Sequence, residues 1–169
     1  MLRILGIDPG SRITGYGLIE SDGNRSLHIE HGALRLVGEA LPPRLGEIYA
    51  RVGALIEQHQ PAVMAIEQVF VSKNAASALK LGQARGAAIC AAIQYGLEVA
   101  EYTPTRIKQS VVGSGRADKT QVQHMVKMIL NLTGNLQADA ADALAVALSH
   151  AHTHATLVRQ QTAGGGARR

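Results

Sequence analysis

The sequence predicts an α/β fold in which five strands form one mixed sheet, an antiparallel meander followed by parallel strands, flanked by helices. Three observations carry this. Residues 2–7 and 62–66 are almost unbroken runs of apolar residues and Gly, the pattern of strands covered on both faces, and the runs close on Asp8 and Glu67. Between them, residues 13–20 and 26–36 flank the turn signal Asp22-Gly23-Asn24 and read as an antiparallel meander. Behind Pro42-Pro43, residues tolerated at a helix entrance, Leu45, Ile48, Tyr49, Val52, Leu55 and Ile56 recur at helical spacing. A crossover carrying a helix joins parallel strands, so the second apolar run can lie beside the first. Asp8 and Glu67 are then neighbours at the carboxyl ends of central strands, where open α/β sheets place their sites.

The remaining elements follow in order. Residues 74–95 form an Ala-rich helix with Gly82 and Gly86 four apart, a spacing that permits close packing against the sheet or against a second copy of the chain. Residues 97–102 are a fifth strand. Thr103-Pro104 opens a short helix bearing Arg106 and Lys108, and Gly113-Ser114-Gly115 breaks it. Asp118 with Gln121 resembles a capping box ahead of the apolar face Val122, Met125, Val126 and Ile129. A last helix is expected over residues 137–150. Periodicity ends after His154, which divides the chain into one domain, residues 1–154, and an expected disordered tail, 155–169.

Composition narrows the class. A chain of 169 residues, 46% apolar and 18% charged, suits one globular domain. No apolar run approaches the roughly 20 residues of a membrane span, and no secretory leader is evident, so a cytoplasmic protein with no membrane association is expected. Cys90 is the only cysteine, which excludes a disulfide framework and a thiolate metal cluster. Residues 73–119 hold seven Lys/Arg against three acids, a basic block that suits an anionic partner such as nucleic acid. There is no GxxxxGK[ST] loop, which excludes a P-loop NTPase.

Four acids invite joint treatment: Asp8, Glu67, Asp139 and Asp142. Each taken alone reads as a solvated surface acid or a cap. Taken together, two close central strands, and the other two, three apart and flanked by Ala, share one helical face beside the stripe of Leu144 and Leu148. Like charges about 4 Å apart repel by about 4 kcal/mol at an effective dielectric of 20, so a converging set must protonate or bind cations. Carboxylates without His or Cys are hard oxygen ligands that suit Mg²⁺ or Mn²⁺. Two such ions support phosphoryl transfer, which makes phosphodiester hydrolysis the leading chemistry, provided the last helix reaches the mouth of the two central strands.

Around these acids, Phe70 reads either as core or as a ring that stacks on bases. Lys73, Lys80, Arg85, Lys108, Arg116 and Lys119 are phosphate-holding candidates, with solvated surface as the alternative for each. His150, His152 and His154 read as a frayed helix end rather than a metal tract.

The segments GIDPGSRITGYG, AIEQVF and QADAADALAVA, in this order, resemble the RuvC family of Holliday-junction resolvases, and the likeness runs over residues 2–152. The resemblance implies an RNase H-like fold and a homodimer that nicks two opposed strands of a four-way DNA junction, in recombination and repair, with magnesium. It also implies Asp8, Glu67, Asp139 and Asp142 as catalytic acids and metal ligands, with Phe70, Lys108 and Lys119 as DNA contacts. Two Mg²⁺ ions per site are expected, replaceable by Mn²⁺, with RuvA and RuvB as partners; the resemblance does not single out the dimer contact, for which helix 74–95 is the candidate. The residues alone lead to a metal-dependent phosphodiesterase on DNA or RNA; the junction comes from the resemblance. Two rivals remain. A phosphotransferase of the actin and sugar-kinase type needs two such domains around its nucleotide, and a non-catalytic DNA-binding module would use the acids only to cap and cross-link the fold.

Overall fold

A computed structural model describes residues 1–70 and 74–164. Its elements are β1 (Leu2–Asp8), β2 (Ile13–Ser21), β3 (Ser26–Arg35), α1 (Leu41–His59), β4 (Val63–Glu67), α2 (Ala75–Gln94), β5 (Glu98–Tyr102), α3 (Pro104–Val112), α4 (Lys119–Leu130) and α5 (Ala138–Gly164). The five strands form one sheet in the order β3-β2-β1-β4-β5. β1, β2 and β3 are antiparallel neighbours, whereas β4 lies parallel to β1, from Ile4↔Val63 to Ile7↔Ile66, and β5 parallel to β4. The mixed sheet expected from the sequence is the one observed.

The apolar runs hide a period-2 division of labour. Ile4, Val63, Ala65 and Tyr102 pack under α3, α4 and α5 on one face. Leu5, Ile7, Met64 and Ile66 pack under α1 and α2 on the other. Both faces are covered, so the sequence shows no alternation even though each side chain has a fixed side. Asp8 and Glu67 continue the first register, and so they emerge on the α5 face.

That face is floored by glycine. A Cβ on Gly6 would stand 2.1 Å from the carbonyl oxygen of Ala143, and one on Gly15 would stand 2.0 Å from that of Asp139. The backbone of α5 therefore lies directly on β1 and β2, closer than any side chain would allow. Its own contact residues are correspondingly small, with Ala140, Ala143 and Ala147 wholly buried.

Several boundaries depart from expectation. α5 was expected to end at His150 and residues 155–169 to be disordered; instead the helix continues to Gly164. Apolar periodicity reports a packed face, not helix length. Once α5 is docked, further turns need no new nucleus, and no Pro or Gly intervenes before Gly164. The extension is met by the β2–β3 turn, where Arg159 donates to Asn24 Oδ1. Residues 165–169 lie outside those described. Among the described residues, no helix is long and apolar enough to cross a membrane. The expected capping box is present, with Asp118 accepting from the Gln121 amide and the Gln121 side chain accepting from the Asp118 amide.

The floor under α5 makes a test of the packing. Gly6→Ala is expected to destabilise the protein by at least about 1–3 kcal/mol, the usual cost of overpacking. In contrast, Gly46→Ala on the exposed side of α1, where a Cβ meets nothing within 4 Å, is expected to stabilise it by up to about 1 kcal/mol. Urea unfolding of the two variants measures both signs.

Candidate active site

β1 ends on Asp8, which pairs with Gly15 across the hairpin. The turn between them is braced from inside. The hydroxyl of the fully buried Thr14 donates to the Gly10 carbonyl at 2.9 Å and accepts from the Gly10 amide at 3.3 Å. Arg44, almost wholly buried, donates from α1 to the carbonyls of Ser11 at 2.7 Å and Glu39 at 3.1 Å. Glu67 closes β4, where the next amide, Gln68, donates to the Tyr102 carbonyl at 2.8 Å. The first turn of α5 places Asp139 over Gly15, and Asp142 follows on the same face. Three separated segments thus deliver four carboxylates to one end of the sheet.

Their electrostatics show that they sense one another. Asp8 is pushed up to about 8, by burial first and then by the charges of Asp142, Glu67 and Asp139, against a smaller opposing effect of Lys119. Glu67 is also raised, by burial and by Asp142, while Lys119 and Lys108 pull it down. Lys119 donates to Asp142 at 3.2 Å, and that carboxylate raises the lysine in turn. The Asp118 cap sets where α4 starts and hence where Lys119 projects. The acids remain an open set: among the described residues, no three His, Cys, Asp or Glu side chains are close enough to form a ready cage for a metal ion.

Two cavities flank Glu67. One of about 320 Å³ is bordered by Asp8, Pro9, Glu67, Phe70, Ser77 and Leu81. The other, about 180 Å³, is bordered by Glu67, Ile107, Lys108, Lys119, Val122 and Asp142. Asp8, Glu67, Asp142, Phe70, Lys108 and Lys119 therefore border one region, and Asp139 reaches it through its charge on Asp8. Phe70 is 60% exposed, so the core reading is removed. Lys73 lies outside the described residues.

Other expectations change. Arg85 turns inward to the carbonyl of Glu67 instead of standing free for phosphate. His150 and its neighbours are not a frayed end, because α5 runs through them. His150 Nδ1 is 2.8 Å from the Tyr102 hydroxyl, and His152 Nδ1 is 3.0 Å from the Ser110 carbonyl. Thr14, Arg44 and Gly15 were missed. A buried Arg bound only to carbonyls leaves no mark on a hydropathy pattern, although Gly spaced by two in GYG on a strand is a signal of close backbone approach.

Comparison with known proteins agrees with the fold. A family model described as crossover junction endodeoxyribonuclease RuvC matches residues 4–150. The RuvC protein of Pseudoalteromonas atlantica is 60% identical over 159 residues, covering 94% of this chain and 92% of the relative. That of Photobacterium profundum is 57% identical over 169 residues, covering 100% and 98%. Among solved structures, Thermus thermophilus RuvC in complex with a Holliday junction substrate superposes with a TM-score of 0.86 at 32% identity, covering 92% of this chain and 96% of that one. With the family match over residues 4–150 and near-complete alignment to these relatives in agreement, the chain belongs to the RuvC family of crossover junction endodeoxyribonucleases.

Proposed function

We propose that this protein resolves four-way DNA junctions by paired, metal-dependent nicking of two opposed strands during recombination and repair. The observation that carries this reading is the convergence of Asp8, Glu67, Asp139 and Asp142, with Asp8 raised to about 8 by burial and by the other three. Such a set is stable in its ionised form only with cations beside it. All four donors are hard carboxylate oxygens, which fit Mg²⁺, with Mn²⁺ as a substitute, and two ions per site match the charge to be balanced. When bound, the ions supply Lewis-acid stabilisation of charge developing at the scissile phosphate.

The chain's own residues do the rest. Asp8, Glu67, Asp139 and Asp142 hold the ions. Lys108 and Lys119, on the far side of Glu67, offer positive charge to the DNA backbone, and Lys73 joins them in this reading. The exposed ring of Phe70, at the mouth of the larger cavity, offers a stacking face to an unpaired base.

A homodimer completes the reading, because a two-fold pair of sites cuts a two-fold junction symmetrically. Its contact is α2. Leu79 and Ile93 are 70% and 60% exposed there, and a Cβ on Gly82 or Gly86 would meet nothing within 4 Å. These four share one helical face, so the small-residue spacing serves a second copy and not this chain's sheet. RuvA and RuvB are the partners in the same reading, and the cytoplasm is its location.

The deciding experiment incubates the protein with an end-labelled four-way junction, with and without Mg²⁺, beside a matched linear duplex. Paired symmetric nicks that need metal and spare the duplex are expected; binding without nicks under every divalent ion would make this a non-catalytic DNA-binding module. Asp8→Asn is expected to abolish cutting while junction binding persists, since the basic surface is untouched. The same variant carries a pH signature. Between about pH 4 and 8 the folded, metal-free protein keeps a proton on Asp8 that the unfolded chain has released, so stability falls as pH rises through that window. Thermal melts in chelator are expected to show this decline in the unchanged protein and a flatter profile in Asp8→Asn. Phe70→Ala is expected to slow junction cleavage about tenfold, within the range for loss of a base stack, while the melting temperature holds. A fall of about 5 °C or more would mean that the ring packs in the fold.

A further inference from the structure

The chain leaves the sheet at Glu67 and returns to it from the third turn of α2. There Arg85 Nε donates to the backbone carbonyl of Glu67 at 3.0 Å. A terminal nitrogen of the same guanidinium is paired with Glu101 on β5, and the arginine side chain is only 19% accessible. One planar group thus ties α2, the last residue of β4 and the neighbouring strand together. The β4–β5 ladder ends at Glu67↔Tyr102, and the last peptide is held from both sides, its amide donating to the Tyr102 carbonyl at 2.8 Å and its carbonyl accepting from Arg85.

We infer that Arg85 is a positioning residue for Glu67, clamping its backbone from α2 so that its carboxylate stays aimed at Asp8 and Asp142. The inference rests on the proposed role of Glu67 as a metal-holding acid. Rotation of the peptide after Glu67 moves the side chain on the same Cα, and misplacement by about 1 Å can cost a hundredfold in rate. The clamp needs arginine. Its fork presents two directed donors at once, to a carbonyl and to a carboxylate, whereas an ammonium is a single point of charge. Stability alone does not explain it, because an ion pair with the half-exposed Glu101 is worth little and does not require the second bond to Glu67. Arg85 also borders a cavity with Val69, Phe70, Leu79 and Gly82, beside the open face of α2. The helix offered to a second copy is therefore the one that holds the active-site strand end.

The test compares Arg85→Gln, Arg85→Lys, Glu101→Gln and Glu67→Gln in the full chain, under single-turnover cleavage at saturating junction. Magnesium titration, junction binding, sedimentation and thermal melting accompany each. Arg85→Gln is expected to slow cleavage about tenfold or more and to raise the Mg²⁺ concentration needed for half-maximal rate, with junction affinity and dimerisation retained. Arg85→Lys is expected to fall between. Glu101→Gln, which keeps an oxygen acceptor and leaves the bond to Glu67 in place, is expected to cut near the original rate. Equal losses in Arg85→Gln and Glu101→Gln, or losses that only track melting temperature, would overturn the inference and leave a structural ion pair. Loss of cutting in Glu67→Gln with none in Arg85→Gln would overturn it alone; full activity in Glu67→Gln would overturn it together with the role proposed for that acid.

Discussion

The bare contact of α5 with the sheet is the constraint on which the rest of the structure depends. Gly6 and Gly15 leave no side chain between the strands and the helix backbone, and buried alanines on α5 match them. Close approach removes the tolerance that longer side chains would give, so the helix can slide or rotate only by clashing. Its first turn therefore lies over the end of β1, and the carboxylates of Asp139 and Asp142 are brought within electrostatic reach of Asp8. A packing choice among the smallest residues thus sets the position of the most highly charged ones.

Those charges are held at a cost, and the fold carries the bracing that such a cost demands. Asp8 is half-buried among like charges. Around it, Thr14 closes the turn, Arg44 fastens that turn to α1, and Lys119 counters Asp142. Each brace comes from an element that already packs in one of the two cores. The site is in this sense preorganised by its surroundings while its own groups repel, an arrangement suited to receiving cations.

The two sheet faces divide the work. α5, α3 and α4 cover the face that carries the acids. α1 and α2 cover the other, and α2 leaves the large apolar residues Leu79 and Ile93 exposed. Arg85 crosses from that second layer to the edge of the first at Glu67. The outward face of α2 and the acid site are in this way joined by one side chain.

Much was legible in the residues because it depends on local chemistry. Strand runs closing on Asp8 and Glu67, the spacing of Asp139 and Asp142, the cap at Asp118 and the helical face from Leu45 to Ile56 all follow from periods of two and 3.6 and from the hydrogen-bonding needs of helix ends. The sequence by itself therefore determined which segments are strands and helices, and which acids stand at their ends. It could not decide whether α5 reaches Asp8, how far that helix extends, whether Phe70 is buried, or that Arg85 serves a carbonyl instead of a phosphate. Each of those depends on which surfaces meet across the chain, and a contact between separate segments, whether 18 residues apart like Glu67 and Arg85 or at opposite ends of the chain like Asp8 and Asp142, has no period to read. Only the tertiary structure decided them, because close packing of backbone on backbone is a property of two elements together and of neither alone.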